Sequence, residues 1–145
     1  MSDEPDFHIR RAFWQSDRDN LRFIRSEVFI HEQKIPEEKE WDDQDEQSYH
    51  VLAQDREKKV VACGRLTVDG HIGRMAVLKA HRGQGIGQTM LKILMGVARD
   101  RGYGVVALSA QKDAVSFYEA HGFRIEGDEY DEAGIPHWWM TCPLD

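Results

Sequence analysis

Apolar and polar residues alternate over 7–15 (FHIRRAFWQ), the period of a strand with one buried face. The period then lengthens. Leu21, Ile24, Val28 and Phe29 recur at helical spacing through 17–33, with Ser16 or Asp17 placed to cap the first turn and Pro36 ending any continuation. From 35 to 47 (IPEEKEWDDQDEQ) the pattern lapses into an acidic stretch, which predicts a loop with at most one helical turn. Apolar runs at 48–55 and 59–70, joined by DREK, predict a hairpin, and the second continues through Asp69-Gly70 to a third strand at 71–78. A helix over 86–100, a buried strand over 105–111 and a short helix over 114–122 closed by Gly122 follow. Strands at 123–132 and 136–143, meeting at the bend 133–134, complete the chain. The order βαβββαβαββ predicts an α+β fold. Its sheet is mixed, six- to seven-stranded, with one right-handed βαβ crossover.

At 145 residues the chain predicts a single domain, 1–145. No stretch approaches the ~20 apolar residues that span a bilayer, and the opening MSDEPDFHIRR is acidic where a signal peptide is basic. The expectation is a cytoplasmic protein with no membrane partner. Cys63 and Cys142, without CxxC or Cys/His spacing, fit buried thiols in a reducing compartment better than a disulfide framework. A net charge of -7 and the lack of a basic stripe argue against nucleic acid. An anionic ligand must therefore be captured by local geometry.

That geometry is suggested by RGQGIG at 82–87, between a strand and a helix. Gly83, Gly85 and Gly87 clear side chains from a place where a ligand can approach, and the first amides of the helix have no internal partner. Such a terminus suits a phosphate. Neither the GK[ST] ending of a P-loop nor the GxGxxG of a dinucleotide fold is present. On glycines alone, a phosphate cradle and a tight turn holding nothing both remain open.

In full context, HIGRMAVLKAHRGQGIGQTMLKILM followed by VVALSAQKDAVSFYEAHGFRIEG resembles the GNAT superfamily of acyl-CoA-dependent N-acetyltransferases. Arg82, Gly85 and Gly87 match its R/QxxGxG motif, and Phe117, Tyr118, Gly122 and Phe123 its FYxxxGF ending. The match spans roughly 48–143. EVFIHEQKIPEEKEWDDQD is also similar to a segment of bacterial members with VFxxEQxxPxxxExDxxD. The resemblance implies the GNAT fold, with splayed parallel central strands flanked by helices, and acetyl-CoA as co-substrate without a metal. It assigns the pyrophosphate to the main chain of Arg82, Gly83, Gln84, Gly85, Ile86 and Gly87. Gln88 and Thr89 are placed to add side-chain contacts. Met75, Ala76 and Val77 would line the pantetheine arm, with the Met75 N–H polarising the thioester carbonyl. Gln111 stands where many relatives carry a cofactor-contacting Asn.

The resemblance implies Tyr118 as proton donor to the departing thiolate, although an aromatic that packs helix on sheet is its alternative reading. The base stays open. His71, four residues before Met75, is a residue type suited to the task, but it follows Asp69-Gly70 in a tight turn, which favours a solvated turn histidine over a base. Glu32, Glu40, Asp42 and His137 are further candidates. His31-Glu32 lacks the second His of HExxH, because Ile35 stands there. Trp138 and Trp139 must face opposite sides of their strand, one to the core and one, with Tyr130, to an acceptor cleft. The acidic run, if it borders that cleft, favours small cationic amines as acceptors. Two functions follow: direct acetyl transfer to a primary amine, or a catalytically silent acyl-CoA-binding module. Terminal strand edges offer a route to a homodimer.

Overall fold

The computed structural model describes residues 6–145. Strand β1 (Phe7–Ala12) pairs antiparallel with β2 (Tyr49–Asp55), β2 with β3 (Val60–Leu66) and β3 with β4 (Ile72–Val77). A second antiparallel sheet runs β5 (Val105–Gln111), β8 (Ile135–Pro143) and β6 (Arg124–Ile125), with β7 (Tyr130–Glu132) also on β8. The expected single mixed sheet is thus two four-stranded sheets, joined by one parallel bridge from His71 to Ala107.

Helix α3 (Ile86–Asp100) covers both sheets. Met90, Leu91 and Leu94 pack with Val51 and Leu66 of the first sheet and with Val106, Leu108 and Met140 of the second. Helix α1 (Trp14–Arg25) covers the opposite face of the first sheet, where Leu21, Ile24 and Val28 meet Leu52, Cys63 and Ala76. Both faces of β2 and β3 are therefore buried, which is why VLA and VVACG are unbroken apolar runs.

Helix α1 starts three residues before the expected 17–33, at Trp14, after Phe13 as an N-cap without a side-chain cap. Asp17 acts from inside the helix: its carboxylate accepts the Phe13 N–H at 2.9 Å and binds Arg10 at 2.7 Å. The Ser26–Glu32 continuation is π-helical. Its wider turn leaves Val28 in the core while Phe29 and Gln33 reach the central cleft. The acidic segment holds one short helix, α2 (Glu37–Glu40), and a second, 3-10 turn at Asp45–Gln47, one helical turn more than expected. The expected strand 123–132 breaks into β6 and β7 because Gly127, at φ 84°, leaves the extended region. Helix α4 (Val115–Glu119) is followed by the expected closing turn at Gly122, φ 94°. Cys63 and Cys142 are free and buried, and burial pushes the Cys63 thiol up to about 12.

Candidate active site

Past the His71–Ala107 bridge, β4 and β5 diverge. β4 then pairs only with β3, and β5 only with β8. Two strand edges with free main-chain donors and acceptors face each other across a cleft of about 810 Å³. His71, Met75, Gln111, Tyr118 and Trp139 all line it. Ala76 is buried against α1 and Val77 packs toward the α3 core, so neither side chain lines the cleft, and the Val77 carbonyl already accepts from Arg82.

β4 runs through a turn at Lys79–His81 directly into the glycine segment. Gly83 and Gly85, at φ 82° and 84°, adopt backbone that L side chains avoid, and Gly85 is the N-cap of α3. A Cβ at Gly83, Gly85 or Gly87 would meet nothing within 4 Å. Room and the free first-turn amides of Ile86, Gly87 and Gln88 therefore coincide. Gln84 and Gln88 are exposed. The Thr89 hydroxyl donates back to the Gly85 carbonyl at 2.9 Å, so it is turned along its own helix. The Arg82 guanidinium is committed elsewhere. Its two terminal nitrogens donate to Glu32 at 2.8 and 2.7 Å and its Nε to the Val77 carbonyl at 2.9 Å. That pairing holds the Glu32 carboxyl below its usual range and makes a poor base of this candidate.

The β3–β4 register jumps between Cys63–Ala76 and Arg65–Gly73. Arg74 and Met75 thus oppose Gly64 alone, a bulge in which Arg74 sits at φ 50°. Tyr118 is half-buried, and its hydroxyl has no hydrogen-bond partner among the described residues. Burial pushes this phenol up to about 12, so it stays protonated at neutral pH. Gln111 donates to the Gln33 side chain at 2.8 Å, a link across the cleft that sequence reasoning did not foresee. His71 Nδ1 lies 3.6 Å from Asp69 Oδ2, and its ring meets Trp139 edge-on at 5.0 Å. Of the two tryptophans, Trp139 is therefore the one that lines the cleft. Tyr130 hydrogen-bonds Ser109 on β5, whose hydroxyl also donates to Glu132 at 2.9 Å.

The acidic segment does border the cleft, through Glu40 and Asp42, but these carboxylates are not free. Glu40, Asp42 and Asp45 are bound by Arg25, Arg65 and Arg74 at 2.7 to 3.2 Å. Three cations and three anions cancel. Burial raises the Glu40 carboxyl against the pull of Arg74 and Arg25, and the Asp42 carboxyl lies below its usual range through Arg65 and Arg74. These arginines were missed as site residues. Their signal was a position inside apolar runs, as in VVACGRLT and HIGRMAVL, where an exposed Arg is not expected. Among the described residues, no group of three or more His, Cys, Asp or Glu is arranged to hold a metal, and no helix is long and apolar enough to cross a membrane.

Comparison with known proteins agrees with this geometry. Residues 15–144 match the family model for an acetyltransferase (GNAT) domain. The chain is 40% identical to the uncharacterised N-acetyltransferase YjcF of Bacillus subtilis, over 81% of this chain and 86% of that protein. An acyl-CoA N-acyltransferase from Pseudomonas aeruginosa superposes with a TM-score of 0.83 at 29% identity, covering 94% of this chain and 99% of the other. Escherichia coli ElaA superposes equally well, at 0.83, with 26% identity and the same coverage of 94% and 99%.

Proposed function

The chain belongs to the GNAT family of acetyltransferases, and from that premise we propose that it transfers the acetyl group of acetyl-CoA directly to the primary amine of a small cationic acceptor. The observation that carries the reading is the splay of β4 from β5. An extended ligand arm bearing amides can add to a free strand edge through main-chain hydrogen bonds. The diphosphate at its end would reach the amides of α3, where the space beside Gly83, Gly85 and Gly87 fits it. Gln111 can contact the arm once it exchanges its bond to Gln33. Two buried free thiols suit a reducing, cytoplasmic setting.

Acetyl-CoA supplies a thioester carbonyl and a thiolate leaving group. The Met75 N–H, in the bulge, faces the oxygen that becomes negative as the amine attacks. His71 takes the proton from the amine: Asp69 sits beside Nδ1, and Nε2 has no partner among the described residues. Asp69 is held below its usual range by the Thr67 hydroxyl and by His71, which keeps it an anion able to orient the ring. Tyr118 donates a hydrogen bond to the departing sulfur. Full transfer from a phenol at about 12 to a thiolate of pKa ~8.5 is uphill by roughly 5 kcal/mol, so the phenol stabilises the thiolate more than it protonates it.

Preference for a cationic acceptor cannot come from Glu40, Asp42 and Asp45, which the three arginines neutralise. It rests on Asp131 and Glu132 at the cleft, the face of Trp139 and the net charge of -7. The test is calorimetry with acetyl-CoA, followed by a panel of diamines, aminosugars and lysine-like amines monitored for released CoA thiol. Binding with amine-dependent release supports the reading. Binding without release on any amine favours the silent module, and no binding removes both.

A further inference from the structure

The ion pairs beneath the cleft close on themselves. Arg25 binds Glu40, Glu40 lies against Arg74, Arg74 against Asp42, Asp42 binds Arg65, Arg65 binds Asp45, and Asp45 returns to Arg25. Every contact in this ring is between 2.7 and 3.2 Å. Arg25, Glu40, Asp45 and Arg65 are each no more than 5% exposed. A buried ring of charges is weak evidence for stability, because apolar residues of equal volume commonly do as well. A geometric role accounts for it better.

We propose that the ring is a positioning device for the reaction, with Arg74 as the positioning residue that sets the direction of the neighbouring Met75 N–H. The inference rests on the assignment of that N–H to the thioester oxygen. Arg74 is the ring member on the bulge, and its φ of 50° is a conformation that a non-glycine residue leaves unless held. Its guanidinium is held from outside the sheet: Nη2 donates to the Glu40 carbonyl at 3.0 Å and to Asp42 Oδ2 at 3.2 Å. Asp42 in turn accepts both terminal nitrogens of Arg65, at 2.9 and 3.0 Å, and Arg65 pairs with Gly73 at the start of the bulge. The acidic segment therefore clamps the bulge on both strands. From the other face, Gly64 leaves room for Met75: a Cβ there would stand 2.7 Å from Met75 Sδ.

The test separates the anchor from the backbone strain. Arg74→Gly accepts φ 50° without cost but removes the anchor, Asp42→Asn weakens the anchor while keeping the Arg74 side chain, and Arg74→Lys restores one charge without the fork. Steady-state kinetics well below each variant's melting temperature should show kcat falling about 10-fold to 100-fold in Arg74→Gly. KM for acetyl-CoA should stay within about 3-fold, with partial recovery in Arg74→Lys. A purely structural ring would lower the melting temperature and leave kcat unchanged, which would overturn the proposal. If the wild type turns over no amine in the panel, the parent assignment fails instead, and backbone NMR decides this one. The Met75 amide resonance should shift in Asp42→Asn, which leaves its sequence neighbours unchanged, and an unmoved resonance overturns the positioning role.

Discussion

On the side of the cleft proposed to hold the donor, one continuous segment from Met75 to Gln88 carries the strand edge, the glycine turn and the first amides of α3. It works with main chain, and its side chains are absent, as at the three glycines, or engaged elsewhere, as at Arg82 and Thr89. Beneath the other side of the cleft lies the ring of Arg25, Glu40, Asp42, Asp45, Arg65 and Arg74, brought from α1, from α2 with the loop and turn after it, and from two strands. It works with side-chain charge, and every charge in the ring is compensated. A backbone site tolerates side-chain change but not intruding bulk or charge. A side-chain ring has the opposite sensitivity.

The largest expected effect breaks the ring away from the bulge. Arg25→Met leaves Glu40 and Asp45 short of a partner in a buried site and should cost about 3 to 5 kcal/mol of unfolding free energy by denaturant titration. Next, Gly87→Asp places a carboxylate in the first turn of α3, where the helix dipole welcomes it and φ imposes no strain. Stability should hold or rise slightly while acetyl-CoA affinity falls about 1,000-fold, from roughly 4 kcal/mol of repulsion at about 4 Å. Loss of stability together with affinity would mean that the turn is structural. His71→Gln should lower kcat/KM about 100-fold at pH 7. Because the lost function is removal of a proton from an amine of pKa ~10, the deficit should shrink as pH rises. A deficit independent of pH removes His71 as base.

Tyr118→Phe should leave acetyl-CoA affinity intact and slow turnover about 10-fold. The protonated phenol is the working form, and burial holds it until pH rises through about 12. The wild-type profile should therefore show no alkaline limb from Tyr118 below about pH 11, and such a limb, absent in the Phe variant, would show that the phenol is more acidic when acetyl-CoA is bound. The smallest effect is at Glu32→Gln. This half-exposed pair with Arg82 should contribute less than about 1 kcal/mol, and affinity for acetyl-CoA should change little if main chain, not the freed guanidinium, holds the diphosphate.

How much was readable in advance follows the same division. The strand and helix succession, the crossover around α3 and the closing Gly122 were legible because each rests on local period and backbone conformation. The split of one expected sheet into two was not, because a single bridge at His71 ends the pairing of strands that period alone would continue. The early start of α1 was hidden by a cap formed from within, through Asp17. Whether the acidic segment borders the cleft stayed open in the sequence, and the pairing of Glu40, Asp42 and Asp45 was invisible, since it depends on arginines at positions 25, 65 and 74 that only folding brings there.

The sequence by itself determined the α+β succession, the glycine turn at the start of α3 and the family motifs of Arg82, Gly85, Gly87 and Tyr118, because these depend on neighbours within one or two turns of chain. Only the tertiary structure decided which charges at the cleft are compensated, which tryptophan faces it and what holds Arg74 at φ 50°. Those are properties of long-range packing, in which a buried ion finds its counterion across the fold rather than along the chain.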